Sequence, residues 1–199
     1  MGSRPVYNGI DPVTTDSRQR RDEIAKQTLT LQSLSHAGLS QWSDEQLGAY
    51  LSGYVDGEGS FHVSLYRRAR LRVGWEVRPS FSVCQKRAKS EVLTLMRGYF
   101  GCGSIRNCIT DDVDHFEVRK IDDLLSSIIP HFEHFPLLSS RQFNLRPFKA
   151  ICLLVKEGKH LEVEGLREIL SLVTQMDVSS RRKHSLDAIA ASLNERVKI

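Results

Sequence analysis

The 199 residues predict an α+β domain ordered α-ββ-α-ββ-α, with further helices after it. Three observations carry this reading. Ser43-Asp44-Glu45-Gln46 is a capping box, with Ser at the N-cap and Gln three residues on, and it opens a helical stretch. Two runs of strict apolar–polar alternation follow, from Ser60 to Tyr66 and from Trp75 to Cys84. A helix and two short strands then recur between Ser90 and Lys120. Helices packed on one face of an antiparallel sheet leave the other face open.

The first helix runs from Asp44 to about Val55. Gly48, Ala49, Ser52 and Gly53 are small and spaced so that a second helix can approach closely. Two glycines in one short helix cost about 1 kcal/mol each against Ala, which points to a packing reason. In the first strand Phe61, Val63 and Leu65 face inward, and Ser60, His62, Ser64 and Tyr66 face outward. Residues 67–72 form a basic hairpin tip. In the second strand Trp75, Val77, Phe81 and Val83 face the core, and Glu76, Arg78, Ser80 and Ser82 the open side. Ser90 to Phe100 reads as a helix capped by Gly101. Gly103 to Asn107 and Asp114 to Lys120 are strands, with Phe116 and Val118 inward and His115, Glu117 and Arg119 outward. Ile121 to Phe132 is a helix broken around Pro130. Ser140 to Glu157, Val163 to Met176 and Ser185 to Glu195 are the remaining helices. Residues 1–42 read as an N-terminal extension, packed outside the core or partly disordered, and 43–199 as the folded domain.

The composition, 40% hydrophobic and 26% charged, supports one packed core and excludes a disordered chain. No apolar run approaches the roughly 20 residues that a membrane helix needs, so no membrane partner is expected. No apolar leader is visible at the N-terminus, so an intracellular home is expected. Cys84, Cys102, Cys108 and Cys152 form no CxxC pair, and they read as small buried thiols in a reducing compartment. The net charge is +4, but residues 60–120 alone carry a balance of +6, against −3 before them and +1 after. A basic surplus concentrated on one sheet points to nucleic acid. An open face of Ser, His, Tyr, Glu and Arg can meet base edges and phosphates in a DNA groove. The expected contacts are Ser60, His62, Ser64, Tyr66, Arg67, Arg68, Arg70, Arg72, Arg78, Ser80, Ser82, Arg106, His115, Glu117 and Arg119. Trp42 and Trp75 are expected to pack rather than to stack on bases.

The stretch Leu51-Ser52-Gly53-Tyr54-Val55-Asp56-Gly57-Glu58-Gly59 resembles the signature of the LAGLIDADG homing endonucleases, with Tyr50 before it and Ser60-Phe61 opening a strand after it. The α-ββ-α-ββ-α order, read independently from periodicity, is also that family's repeat, and its sheet is saddle-shaped. The resemblance implies a site-specific DNA endonuclease encoded within a mobile group I intron, making a metal-dependent double-strand break. One motif copy is found, which in this family implies a homodimer on a long pseudo-palindromic site. Gly48, Ala49, Ser52, Gly53 and Asp56 would then form the helix–helix interface on the two-fold axis.

Hydrolysis of a phosphodiester calls for a metal that polarises phosphate and activates water. Mg²⁺ prefers carboxylate and carbonyl oxygens plus waters. Glu58 stands where the family has its metal-binding acid, with the Gly57 carbonyl beside it. An acid at that end opposes the helix dipole, and a bound cation would relieve it. Mg²⁺ is the implied cofactor, with Mn²⁺ able to substitute and Ca²⁺ a non-cleaving replacement. Gln85 occupies the place of a family residue that orders water. Lys89 and Arg141 take the places of basic residues near the scissile phosphate. Arg181, Arg182 and Lys183 resemble a C-terminal loop that contacts the backbone near the cut. Bacterial cytoplasm and an organelle, chloroplast or mitochondrion, are both open as its home. The alternatives are an RNA-binding maturase, whose partner would be the intron RNA, and a catalytically inactive DNA-binding protein on the same fold.

Overall fold

A computed structural model describes residues 42–108, 110–176 and 184–196. The chain divides into two units between Trp42 and Ser43. The N-terminal extension falls almost wholly outside the described residues, and so do Arg181, Arg182 and Lys183.

The first helix, α1 (Asp44–Glu58), starts at the capping box the sequence announces. Ser43 Oγ accepts from the Gln46 N–H at 3.2 Å, and Gln46 Oε1 accepts from the Ser43 N–H at 2.9 Å. The helix runs one turn further than its apolar pattern suggests, to Glu58, and Gly59 turns straight into β1 (Gly59–Arg67). A hairpin leads to β2 (Trp75–Lys86), and a short 3₁₀ turn to α2 (Glu91–Phe100). Gly101 ends α2 at φ +64°, the left-handed conformation a helix stop requires. Strands β3 (Ser104–Cys108) and β4 (Val113–Val118) complete one antiparallel sheet in the order β1-β2-β4-β3.

Helix α3 (residues 121–134) is not broken at Pro130. It widens instead into a π-turn over Leu124–Ile128 and resumes as α-helix at Ile129–His134. Proline lacks the N–H for an ordinary helical bond and crowds the carbonyl four residues back, and a wider turn relieves both. Helices α4 (Gln142–Lys156), α5 (Val163–Gln175) and α6 (Leu186–Arg196) follow. No helix among the described residues is long and apolar enough to cross a membrane.

The core lies between the sheet and α1, α2, α3 and α4. Its centre is Phe81, fully buried, with the rings of Phe61, Phe100, Phe116 and Phe132 at centroid distances of 5.4 to 6.3 Å. Aromatic rings this close pack edge-on or tilted, and losing one costs about 3–5 kcal/mol. Burial follows strand parity: Phe61, Val63, Val77, Phe81, Val83, Phe116 and Val118 are inside. Trp75 packs as expected, 6% exposed, its Nε1–H donating to Ser192 Oγ of α6 at 2.9 Å. Trp42, by contrast, is 41% exposed. Only Cys152 is fully buried, with its thiol pushed up to about 12 by burial. Cys84, Cys102 and Cys108 are half-exposed, against expectation, because each sits at a sheet face or element end.

Candidate functional site

The acid-bearing tip is built by α1 and β1. Glu58 is the last residue of α1, exposed, and α1 carries no basic residue in its final turn. Among the described residues, no hydrogen bond or ion pair engages the Glu58 carboxylate. A bare acid at the negative end of a helix is electrostatically unfavourable unless a cation joins it.

The cation that reaches this end comes from far along the chain. Arg141, just before α4, donates from Nη2 to the Gly57 carbonyl at 3.2 Å and from Nη1 to the Asp56 carbonyl. Its guanidinium thus brings to the helix C-terminus the positive charge that the last turn lacks. The loop before it is held by Asp56, whose carboxylate accepts from the N–H groups of Leu138 at 2.7 Å and Ser139 at 3.1 Å. Slight burial pushes the Asp56 carboxyl up. The bonds from Ser139 and Leu138 and the Arg141 charge outweigh that and hold it below its usual range. Within the chain, Asp56 therefore staples this loop to the end of α1.

Gly48 and Ser52 also turn inward. A methyl group on Gly48 would stand 2.3 Å from the Phe135 ring. Ser52, 4% exposed, donates to the Phe135 carbonyl at 2.8 Å and lies 3.1 Å from His131 Nε2, whose Nδ1 is 3.2 Å from the Tyr99 hydroxyl. With Ser52 donating to the carbonyl, its oxygen accepts from His131 Nε2–H, and Nδ1 accepts from Tyr99. Burial lowers the imidazole to about 4, so the ring is neutral near pH 7, as these bonds require. Helical spacing of i, i+4 explains the correction: 48 and 52 share the core side, and Ala49, Gly53 and Gly57 share the opposite, exposed side. Nothing lies within 4 Å of a methyl group built on Gly53 or Gly57.

Gln85 lies near the end of β2, two residues past the Gly59↔Val83 pairing, and its amide is bound to Tyr54 of α1. The structure therefore brings Gln85 to the Glu58 end of α1. Lys89 is exposed on the turn after β2, with no hydrogen bond or ion pair among the described residues. Among those residues no three metal-ligating side chains cluster. The donor set at the tip is hard oxygen: the Glu58 carboxylate and the Gly57 carbonyl, whose second lone pair is left beside the Arg141 bond. That set suits a divalent ion such as Mg²⁺, which keeps several waters and takes further oxygens from a bound phosphate.

The open sheet face meets the sequence reading closely. Ser60, His62, Ser64 and Tyr66 of β1, Arg78, Ser80 and Ser82 of β2, and Glu117 and Arg119 of β4 line one shallow hollow. Two Arg–Glu–Arg clusters flank it. Glu76 joins Arg68 at 2.7 Å and Arg78 at 2.9 Å. Glu117 joins Arg119 at 2.7 Å and also Arg106. Bonds from Arg68 and Arg78 hold the Glu76 carboxyl below its ordinary value despite slight burial. Each cluster nets one positive charge, and such exposed pairs stabilise the fold little. Their effect is to hold planar guanidinium groups in fixed orientations on the sheet face. Arg78 also lies 5.2 Å over the Tyr66 ring. Arg67, Arg70 and Arg72 are exposed at the hairpin end, beyond the hollow. His115 is bound at Nδ1 to Cys84 Sγ, 2.9 Å away.

Sequence reasoning missed Tyr54 and Cys84. Parity places Cys84 on the open side with Ser80 and Ser82, and i, i+4 spacing places Tyr54 on the Glu58 face. Both signals were present in the sequence.

Fold and site together define an α+β domain that sets a helix-borne acid at the end of an open antiparallel sheet, the architecture of the homing endonucleases. The chain belongs to the LAGLIDADG endonuclease family, whose pattern matches residues 51–152. It is 33% identical over 154 residues to the probable intron-encoded endonuclease 2 of Neurospora crassa, covering 76% of this chain and 34% of that protein. With the homing endonuclease I-ApeII of Aeropyrum pernix it shares 28% identity over 149 residues, 72% of this chain and 87% of that one. The homing endonuclease I-TnaI superposes with a TM-score of 0.64 and 30% identity, over 75% of this chain and 97% of that one. The I-LtrWI LAGLIDADG homing endonuclease, bound to target DNA, superposes with a TM-score of 0.66 and 30% identity, over 70% and 47%. The chain spans about a third of the Neurospora crassa relative, 34%, and 24% of its companion, probable intron-encoded endonuclease 3.

Proposed function

We propose that this chain is a site-specific DNA endonuclease that cuts both strands as a homodimer. The observation that carries the reading is Glu58: an exposed acid without a partner among the described residues, at the tip of the family's signature helix, where the arginine-lined sheet face begins. The sheet face binds the duplex. Its guanidinium groups take phosphates and guanine edges, and Ser, His and Tyr supply further hydrogen bonds. Glu58 and the Gly57 carbonyl would hold Mg²⁺, which when bound polarises the phosphate and lowers the pKa of water. In this reading Gln85 orients that water, and Lys89 and Arg141 offset the charge that develops on the phosphate.

Ala49, Gly53 and Gly57 form the small exposed stripe on which a second copy would pack, helix against helix. A two-fold axis there delivers two Glu58 tips, one to each strand. This chain covers 47% of the I-LtrWI chain, the share expected where one copy of the fold matches half of a larger protein. Mn²⁺ would substitute for Mg²⁺, and Ca²⁺ would support binding without cleavage.

The test is Glu58→Gln assayed on a duplex selected from a randomised library by binding in Ca²⁺. Cleavage in Mg²⁺ should fall by at least about 100-fold, and binding in Ca²⁺ should stay within a few-fold. A variant that cuts at the wild-type rate would remove Glu58 from the chemistry. A wild-type protein that cuts no duplex yet binds a structured intron RNA would instead favour a maturase.

A further inference from the structure

The Gln85 side chain is held at both ends of its amide. Lys86 donates its main-chain N–H to Gln85 Oε1 at 2.7 Å, and Gln85 Nε2 donates to the Tyr54 hydroxyl. Chemistry fixes this orientation. A main-chain N–H can meet only an acceptor, so the amide oxygen lies toward Lys86 and the NH₂ group toward Tyr54. The reversed amide would set donor against donor. The Tyr54 oxygen is therefore the acceptor, and its own proton points elsewhere.

Tyr54 lies one helical turn before Glu58 and on the same face of α1. The Tyr50 ring, 6.4 Å away between centroids, flanks it on the helix. Burial raises the Tyr54 phenol above its ordinary value. The Gln85 bond opposes this and the Glu58 charge adds to it, so the group stays a neutral hydroxyl. One Gln85 N–H is taken by Tyr54, and no hydrogen bond among the described residues engages the second.

We infer that Tyr54 is a positioning residue for strand cleavage: its hydroxyl oxygen fixes the Gln85 amide so that the second N–H faces the water beside Glu58. This rests on the proposed role of Gln85. A phenylalanine would fill the same space and remove only the acceptor.

Two measurements test it. In protein labelled with ¹⁵N-glutamine, one Gln85 side-chain proton should exchange slowly in wild type and fast in Tyr54→Phe. Equal exchange in both would overturn the inference. In single-turnover cleavage of the library-selected duplex, Tyr54→Phe should be slower by on the order of 10-fold, with binding in Ca²⁺ unchanged. The double variant Tyr54→Phe/Gln85→Ala should be no slower than Gln85→Ala alone, which a merely structural role would not produce. A slow Gln85→Ala beside a Tyr54→Phe at the wild-type rate, or effects that multiply, overturns the Tyr54 inference alone. A Gln85→Ala at the wild-type rate removes Gln85 from the reaction and the inference with it.

Discussion

Arg141 reaches across 84 positions of sequence to donate to the Gly57 carbonyl, and so puts a fixed positive charge on a helix end that has none of its own. Two functions meet in that contact. The guanidinium caps α1, and it holds a cation beside the acid proposed to meet phosphate. Arg141→Ala should therefore cost about 1–2 kcal/mol of stability, read by urea denaturation at pH 7. It should also slow cleavage by more than about 10-fold, since a charged hydrogen bond and a phosphate partner are lost together. Arg141→Lys keeps the charge but not the two-pronged geometry and should fall between. An alanine variant as stable and as active as wild type would refute both roles.

Two glycines of α1 predict opposite behaviour. Gly48→Ala drives a methyl group into the Phe135 ring, 2.3 Å away, and should destabilise the folded chain by about 1–3 kcal/mol. Gly53→Ala meets open space in a single copy and gains helix propensity, so the isolated chain should hold or gain up to about 1 kcal/mol. Its dimer should weaken instead, because the added methyl groups hold two helices apart. Thermal unfolding and sedimentation equilibrium separate the two effects. Equal dimer affinity in Gly53→Ala and wild type would move the interface off this stripe.

Stability should depend on pH through His131. Burial holds the imidazole near 4 in the folded chain, while an unfolded histidine titrates near 6.5. Between those values the unfolded chain takes up a proton that the folded chain refuses. Stability is therefore full above pH 6.5 and declines as pH falls toward 4, by about 3 kcal/mol at most from this residue. His160 is also lowered by burial and adds in the same direction. Denaturation at pH 7.5 and 4.5 should show the decline, and His131→Gln should flatten it in part. An unchanged slope in that variant would place the effect elsewhere.

Glu117 restrains Arg106 and Arg119 on the sheet face. Glu117→Gln frees two guanidinium charges for phosphate. Binding to random-sequence duplex should tighten by about 10-fold at low salt, with a steeper salt dependence. Discrimination between selected and random duplex should shrink. Unchanged salt dependence would show that these arginines do not reach the backbone.

Most of the architecture was legible because parity and capping act locally. The Ser43–Gln46 box, the inward Phe61 and Phe81 and the outward Ser60 and Arg78 need only spacing to be read. The Glu58 tip was legible through the motif. What escaped depends on partners distant in sequence. Gly48 and Ser52 look like an interface until Phe135 and His131 fold against them. Asp56 gains its meaning only from the Leu138 and Ser139 N–H groups. Pro130 looks like a helix breaker because a single sequence does not show that the turns before it can widen.

Glu58 is proposed to bind the catalytic ion at the DNA backbone. Anomalous diffraction from crystals of the protein with its selected duplex and Mn²⁺ tests it most directly. An anomalous peak should appear bonded to the Glu58 carboxylate and a phosphate oxygen, and be lost in Glu58→Gln. A peak bound elsewhere, with Glu58 remote from every phosphate, would contradict it.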